Sequence, residues 1–259
     1  MKREGRWKAY AQKLGLVLLL LAAWEGTSRL GVWSPHLFPG PVTVAESLGR
    51  MAADGRLWEA TVRSMGRLVR AYLLSVAIGI PLGLLTARLS FFRNAVKPVV
   101  MGLQALPSIC WLPLALLWFG LTDTAILFVV VMGSVLGIAI ATEDAVNGVD
   151  PQLIRVASTL GVKGLRFQFG VLLPAALPGI VTGLKLGWSF AWRALLAGEL
   201  LFVSGGLGQL LTVGRELMDV PQVMAVMVAI ILIGITVDRV LFQTVEVRVR
   251  RRWGLEGAM

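Results

Sequence analysis

Residues 143–178, EDAVNGVDPQLIRVASTLGVKGLRFQFGVLLPAALP, carry Asp150, Arg155, Lys163 and Arg166 between long apolar runs on either side. Charges this dense are too costly for the centre of a bilayer, so the stretch is expected in water at one membrane face. Its local pattern is two short helices around a turn. Asp150 followed by Pro151 makes an N-cap and first-turn pair. Leu153, Val156, Ala157 and Leu160 then recur at helical spacing and form one apolar face. Gly161 is placed to end that helix in a left-handed conformation. A second helix is expected from Lys163 to Leu173, with Pro174 marking its end or the start of the next. Two readings fit: a loop lying on the membrane surface, or a docking element gripped by a soluble partner.

The rest of the chain supports a membrane protein. Of 259 residues, 56% are hydrophobic and 15% charged, against about 25% charged in ordinary soluble domains. Mean hydropathy is +0.77. The net charge of +10 gathers at the ends of apolar runs, which the positive-inside rule explains better than a nucleic-acid surface does. A single cysteine, Cys110, excludes an intrachain disulfide framework. The one histidine, His36, has no Cys or carboxylate neighbour at ligand spacing, so no metal site is expected.

Read in order, basic residues from Lys2 to Lys13 precede an apolar run, Leu14–Trp24, that is either a cleaved signal or a first span reaching Val32. Prolines and glycines in 34–60 indicate an external loop with a short surface helix. The second span begins near Thr61, with Arg63, Arg67 and Arg70 in its first turns. These are either a cationic stripe facing a solute or headgroup-level residues that snorkel or pair with Glu59. Its uncharged part, 71–87, contains Pro81 as an expected kink. A third span, 98–120, is broken by Pro107 and Pro113, and Gln104, Ser108 and Trp111 fall on one side of it, facing either a path or a neighbour. In the fourth span, 124–142, Gly133 and Gly137 make a Gly-x-x-x-Gly face. The fifth, 174–203, carries Lys185 near one end and Arg193 and Glu199 deep within it. Six residues of helix separate those two by about 9 Å, so they either line a path, pair with each other or join a charge network at a subunit interface. The glycine-rich stretch 204–211 lacks the Lys-Ser/Thr of a phosphate-binding loop and reads as an external loop or re-entrant turn. A sixth span, 220–237, ends in a run of arginines.

The fold class expected is therefore all-α: a polytopic membrane protein of six transmembrane helices, with a cytoplasmic loop between the fourth and fifth spans. Residues 1–13 form an N-terminal tail, 14–243 the membrane domain with its loop at 143–174, and 244–259 a C-terminal tail. Loop charges put both termini in the cytoplasm.

RVASTLG (Arg155–Gly161) followed by LLPAALPGI resembles the cytoplasmic loop of binding-protein-dependent ABC transporter permeases, whose pattern is Glu-Ala-Ala, three residues, Gly, then a distal Ile-x-Leu-Pro. Gly161, Ala157 and Leu173-Pro174 match. Arg155 replaces the glutamate, Val156 the first alanine and Val171 the isoleucine. These departures bear on any salt bridge made by the family's glutamate, not on the helix–turn–helix. The resemblance covers nearly the whole chain and is nearest the nitrate/sulfonate/taurine branch, through LQALPSICWLPLALLWFG (Leu103–Gly120), LPAALPGIVTGLKLG (Leu173–Gly187) and WRALLAGELL (Trp192–Leu201).

That resemblance implies a permease of the bacterial inner membrane that works as a homodimer in lipid. An external solute-binding protein and a separate ATP-binding subunit, which carries ATP and Mg, would be its partners. The coupling positions it implies are Arg155, Val156, Ala157, Ser158, Leu160, Gly161, Lys163, Leu165, Leu173 and Pro174. Candidate path residues are Gln104, Ser108, Trp111, Arg193 and Glu199. No cofactor or nucleic acid is expected for this chain. It lacks a Walker lysine motif, a Cys/His cluster and a Ser/His/Asp set, so it is not expected to be an enzyme. An ion-coupled secondary transporter would need midplane acids and internal repeats, and a membrane-embedded enzyme would need clustered polar residues.

Overall fold

The computed structural model describes residues 2–30, 34, 36–201 and 205–253. Every regular element among them is helical. They are α1 (Lys2–Arg29), α2 (Pro41–Ala53), α3 (Arg56–Arg88), α4 (Lys97–Gln104), α5 (Leu112–Phe119), α6 (Asp123–Asn147), α7 (Pro151–Thr159), α8 (Gly164–Phe167), α9 (Leu173–Glu199), α10 (Leu207–Glu216), α11 (Val220–Val237) and α12 (Gln243–Arg252). The expected ends of the first and fifth spans at Val32 and Val203, Ser204, and the tail beyond Trp253 lie outside the described residues.

Four helical stretches are long and apolar enough to cross a membrane: Arg56–Arg88, Asp123–Asn147, Gly164–Glu199 and Val220–Arg252. The expected third span is a bent pair instead, Phe92–Gln104 and Ser108–Phe119, whose arms diverge by 101°. Pro107 explains the break: its ring denies Leu106 the helical conformation, and it supplies no N–H to the preceding turn. Pro174 does not interrupt its helix. It follows a π-helical turn, Gln168–Leu172, whose wider spacing relieves the clash between a proline ring and the turn before it. Pro81 also lies within a continuous α3.

α6 is the centre, with α3 and α9 packed along it. Lipid offers no hydrophobic drive between helices, so close contact depends on small residues. On α3, a Cβ at Gly79 would meet Ile138 at 2.9 Å, and one at Gly83 would run into the Ala139 carbonyl. On α9, Gly183 and Gly187 give the same access to Ala141 and Ile138. Gly133 and Gly137 turn towards Ala194, Ser108 and Phe190. Three small-residue faces therefore fix the sandwich, and only the one on α6 was singled out from sequence. Tyr72 ties α3 to α9 by donating its hydroxyl proton to the Leu184 carbonyl at 2.8 Å, its ring edge-on to Trp188.

Charged clusters mark both ends of α6. Asp123 binds Arg67 at one end and Glu143 binds Lys97 at the other. Twenty residues of helix separate them by about 30 Å, the thickness of a hydrocarbon core. α1 lies apart and packs on α2, where Trp24 donates its indole N–H to the Pro39 carbonyl at 3.0 Å.

Candidate functional site: the capped loop and the cavity beside Arg193

α7 forms because both of its ends are satisfied locally. The Asp150 carboxylate accepts from the Gln152 N–H at 2.7 Å. At the other end Gly161 adopts φ +70°, Val162 N–H donates to the Ala157 carbonyl at 3.0 Å, and Gly161 N–H donates to the Ser158 carbonyl at 3.1 Å. That is a Schellman termination, which needs a left-handed residue. Tertiary contact then divides the apolar face read from sequence. Ala157 is buried, and Ile154 packs with Val146, Leu172 and Ile180 of the body. Leu153, Val156 and Leu160 point outward, with Leu160 75% and Leu165 76% exposed. Arg155, Ser158 and Lys163 are exposed beside them. Leu173 and Pro174 are half-buried, Leu173 against the body cluster, so these two expected docking positions are off the outward face.

Nearer the opposite end, a cavity of about 410 Å³ opens between α6, α9 and the bend at Pro107. Gln104, Ser108, Gly133, Phe190 and Arg193 are among its lining residues. This volume lies in the range of small-molecule sites. The Arg193 guanidinium lies over the Phe190 ring, 5.1 Å from its centroid, and donates from Nε to the Ser189 carbonyl at 3.1 Å. It has no carboxylate partner among the described residues. Trp111 is not brought there; it packs edge-on to Phe128 in the main core.

Glu199 must be corrected both as a path residue and as a partner for Arg193. It is fully buried and belongs to another cluster. Its carboxylate accepts from Ser64 Oγ at 2.7 and 2.9 Å, Arg67 Nη1 at 3.0 Å and the Gly208 N–H at 3.1 Å. Ser64 Oγ in turn accepts from the Leu207 N–H at 2.9 Å, and Arg67 reaches on to Asp123 at 2.9 Å. A charge in a dry interior persists only when paired and hydrogen-bonded, and this cluster provides both. The glycine-rich stretch has its explanation here: a Cβ at Gly206 or Gly208 would overlap the Glu199 side chain. The stretch therefore runs into α10 and lies against α9, rather than forming only an open loop. Arg67 is accordingly a buried bridge between α3, α6 and α9, whereas Arg63 pairs with Glu59 at the surface. Ser64, Asp123 and the two glycines were missed from sequence. The available signal was Ser64 and Arg67 on one helical face, together with Gly-x-Gly soon after a glutamate in the fifth apolar run.

Residues 79–251 match the family described as binding-protein-dependent transport system inner membrane component. The chain belongs to this family. An ABC transporter permease protein of Methanocaldococcus jannaschii is 33% identical to this permease over 237 residues, 90% of this chain and 88% of its own. The taurine transport system permease protein of Escherichia coli is 29% identical over 241 residues, 90% of this permease and 88% of its own length. Among solved structures, an inward-facing form of the MetNI methionine ABC transporter aligns with a TM-score of 0.62 at 21% identity. That alignment covers 76% of this permease and 95% of the matched chain, and it shows a shared fold. This permease is thus a membrane subunit of an ABC importer.

Proposed function

We propose that two copies of this permease enclose a path for a small anionic solute of the sulfonate, taurine or nitrate class, with the cavity beside Arg193 as part of that path. A separate ATP-binding subunit, holding ATP and Mg, docks on α7 and its flanking turn, and an external solute-binding protein delivers the solute to the opposite face. α1, the bent pair and the four long helices count as six spans, with both termini and the α7 loop in the cytoplasm of a bacterial inner membrane. The positive charge near the Lys97–Glu143 end supports that orientation. The taurine relative supports the solute class.

The observation that carries this reading is the outward row Leu153, Val156 and Leu160 on a helix fixed at both ends, continued past the Gly161 turn by Leu165 of α8. It lies beyond the charged boundary of α6, where acyl chains do not reach, and a partner subunit would cover it. ATP-driven closure of the two ATP-binding subunits would then pull on α7, and Ile154 and Ala157 would pass that motion to α6 and α9. Such coupling needs a helix that moves as a rigid unit between two packings.

Transport and ATP hydrolysis by the reconstituted complex test the path. Arg193→Gln removes a cation whose hydrogen bond to the Ser189 carbonyl and ring contact with Phe190 are both within α9, and which has no carboxylate partner among the described residues, so assembly and basal ATP hydrolysis should survive. Solute uptake should fall about tenfold or more, the worth of one charge-assisted hydrogen bond. Unchanged uptake would remove Arg193 from the path, and failed assembly would assign it a structural role.

A further inference from the structure

The last helix carries a second charged feature, outside the proposed path. The π-helical turn Asp238–Phe242 joins α11 to α12 and makes one continuous stretch, Val220–Arg252. One extra residue in a helix rotates everything after it by about 100°. Across that turn Arg239 is brought into line with Gln243, Thr244, Val247, Arg248 and Arg251, and these six line a groove of about 420 Å³. Neither Arg239 nor Arg248 has a carboxylate within ion-pair distance among the described residues. Asp238 is engaged by Lys185 at 3.0 Å, and Glu246 by Arg250 at 3.0 Å. Val240 and Leu241 of the same π-helical turn are exposed.

The level of this groove in the membrane can be read from its neighbours. Gly183 of α9 lies against Ala141 and Gly179 against Ala145, so the Lys97–Glu143 boundary meets α9 between those glycines. Lys185 is a turn or so to the apolar side of it and holds Asp238. Arg239 therefore starts just inside the boundary, while Arg248 and Arg251 lie beyond it. Twelve residues of helix carry this row across about 18 Å, the depth over which a bilayer passes from acyl chain to headgroup. Arginine side chains at such a level direct their guanidinium groups to phosphate.

We propose that this groove binds the headgroup phosphate of an anionic phospholipid. Arg239 and Arg248 supply the charge, Thr244 donates a hydrogen bond, Gln243 Nε2, which gives one proton to Asp238 Oδ2 at 3.1 Å, has its second available, and the acyl chains lie along Val240 and Leu241. Charge complementarity selects an anionic lipid over a zwitterionic one, whose own cation would meet the arginines.

The test uses the assembled transporter in phosphatidylcholine vesicles containing a minor share of phosphatidylglycerol, with the phosphatidylglycerol retained per complex measured after extraction into neutral detergent. Arg239→Gln with Arg248→Gln should lower retention about fivefold for each arginine removed. Arg50→Gln, the same charge change on the exposed face of α2, should retain as much as the unaltered protein. Equal retention by the groove variant, or equal loss by Arg50→Gln, would overturn a specific site. Displacement of the lipid by inorganic phosphate but not by chloride at equal ionic strength would show a site for the free anion and overturn the lipid assignment. Loss of the ATP-binding subunit from the groove variant in pure phosphatidylcholine would show an acidic protein surface there, and would equally overturn it. Should the double variant fail to assemble, Arg248→Gln alone, in the exposed α12, carries the same comparison.

Discussion

Glu199→Ala is expected to destabilise the permease by about 3–5 kcal/mol, the cost of breaking a buried ion pair from one side. The carboxylate has no exposure to water and receives bonds from Ser64, Arg67 and the Gly208 N–H. Removing it strands those donors in a low-dielectric interior, where an unmet group costs more than the bond it would have made. Arg67 would keep its pair with Asp123, whose side chain is 53% exposed. Asp123→Asn should therefore cost less, about 1 kcal/mol, because Asp123 is half exposed and Arg67 keeps its bond to Glu199. Glu199→Gln should fall between, since an amide oxygen still accepts from Ser64 or Gly208. Thermal unfolding of the detergent-solubilised subunit orders the three. Glu199→Ala unfolding at the same temperature as Asp123→Asn would show that the cluster does not hold the end of the bundle together.

Gly161→Val should act in the opposite sense, with a small effect on the fold and a large one on coupling. The glycine has φ +70° and nothing lies within 4 Å of its would-be Cβ, so the cost is conformational rather than steric. A β-branched residue is an outlier in that region, and adopting another conformation breaks the Val162-to-Ala157 hydrogen bond that ends α7. The chain would then leave α7 in a new direction and shift Leu160 and Leu165 relative to Val156. Stability should fall by about 1–3 kcal/mol, the usual cost of local backbone strain. Solute-stimulated ATP hydrolysis should drop by an order of magnitude or more, because a misplaced docking row loses its partner wholesale. Gly49→Val, in a helical stretch of α2 with equally open space, serves as the comparison. Equal stimulation in the two variants would show that the turn is dispensable for coupling.

What could be read from sequence was local. Asp150, Pro151 and Gly161 cap α7 through neighbours a few residues away, so their roles were legible in the order of residues alone. The break at Pro107 was legible for the same reason, although the 101° divergence was not, because it involves tertiary packing such as the approach of Ser108 to Gly133. Glu199 shows the limit. Its partners Ser64 and Arg67 lie 135 and 132 residues away, and no periodicity connects them. Spacing on one helix instead suggested Arg193, which the structure gives to Phe190 and the cavity. The glycine faces failed differently. Gly79/Gly83 and Gly183/Gly187 have the same four-residue spacing as Gly133/Gly137, but that spacing does not say which face meets which helix. The outward row on α7 lay between these cases: its periodicity was visible, while its division into Ile154 and Ala157 inside and Leu153, Val156 and Leu160 outside depends on the cluster around Val146.

The account rests on the α7 surface being where the ATP-binding subunit sits, and site-specific cross-linking tests this most directly. A photoreactive residue is placed at Leu160 and, separately, at Leu117, which is equally exposed but on α5 at the other end of the bend. Each variant is illuminated within the assembled transporter. Leu160 should give a covalent adduct with the ATP-binding subunit and Leu117 should not. An adduct at Leu117 with none at Leu160, or equal yields from both, would contradict the docking surface and the mechanism built on it.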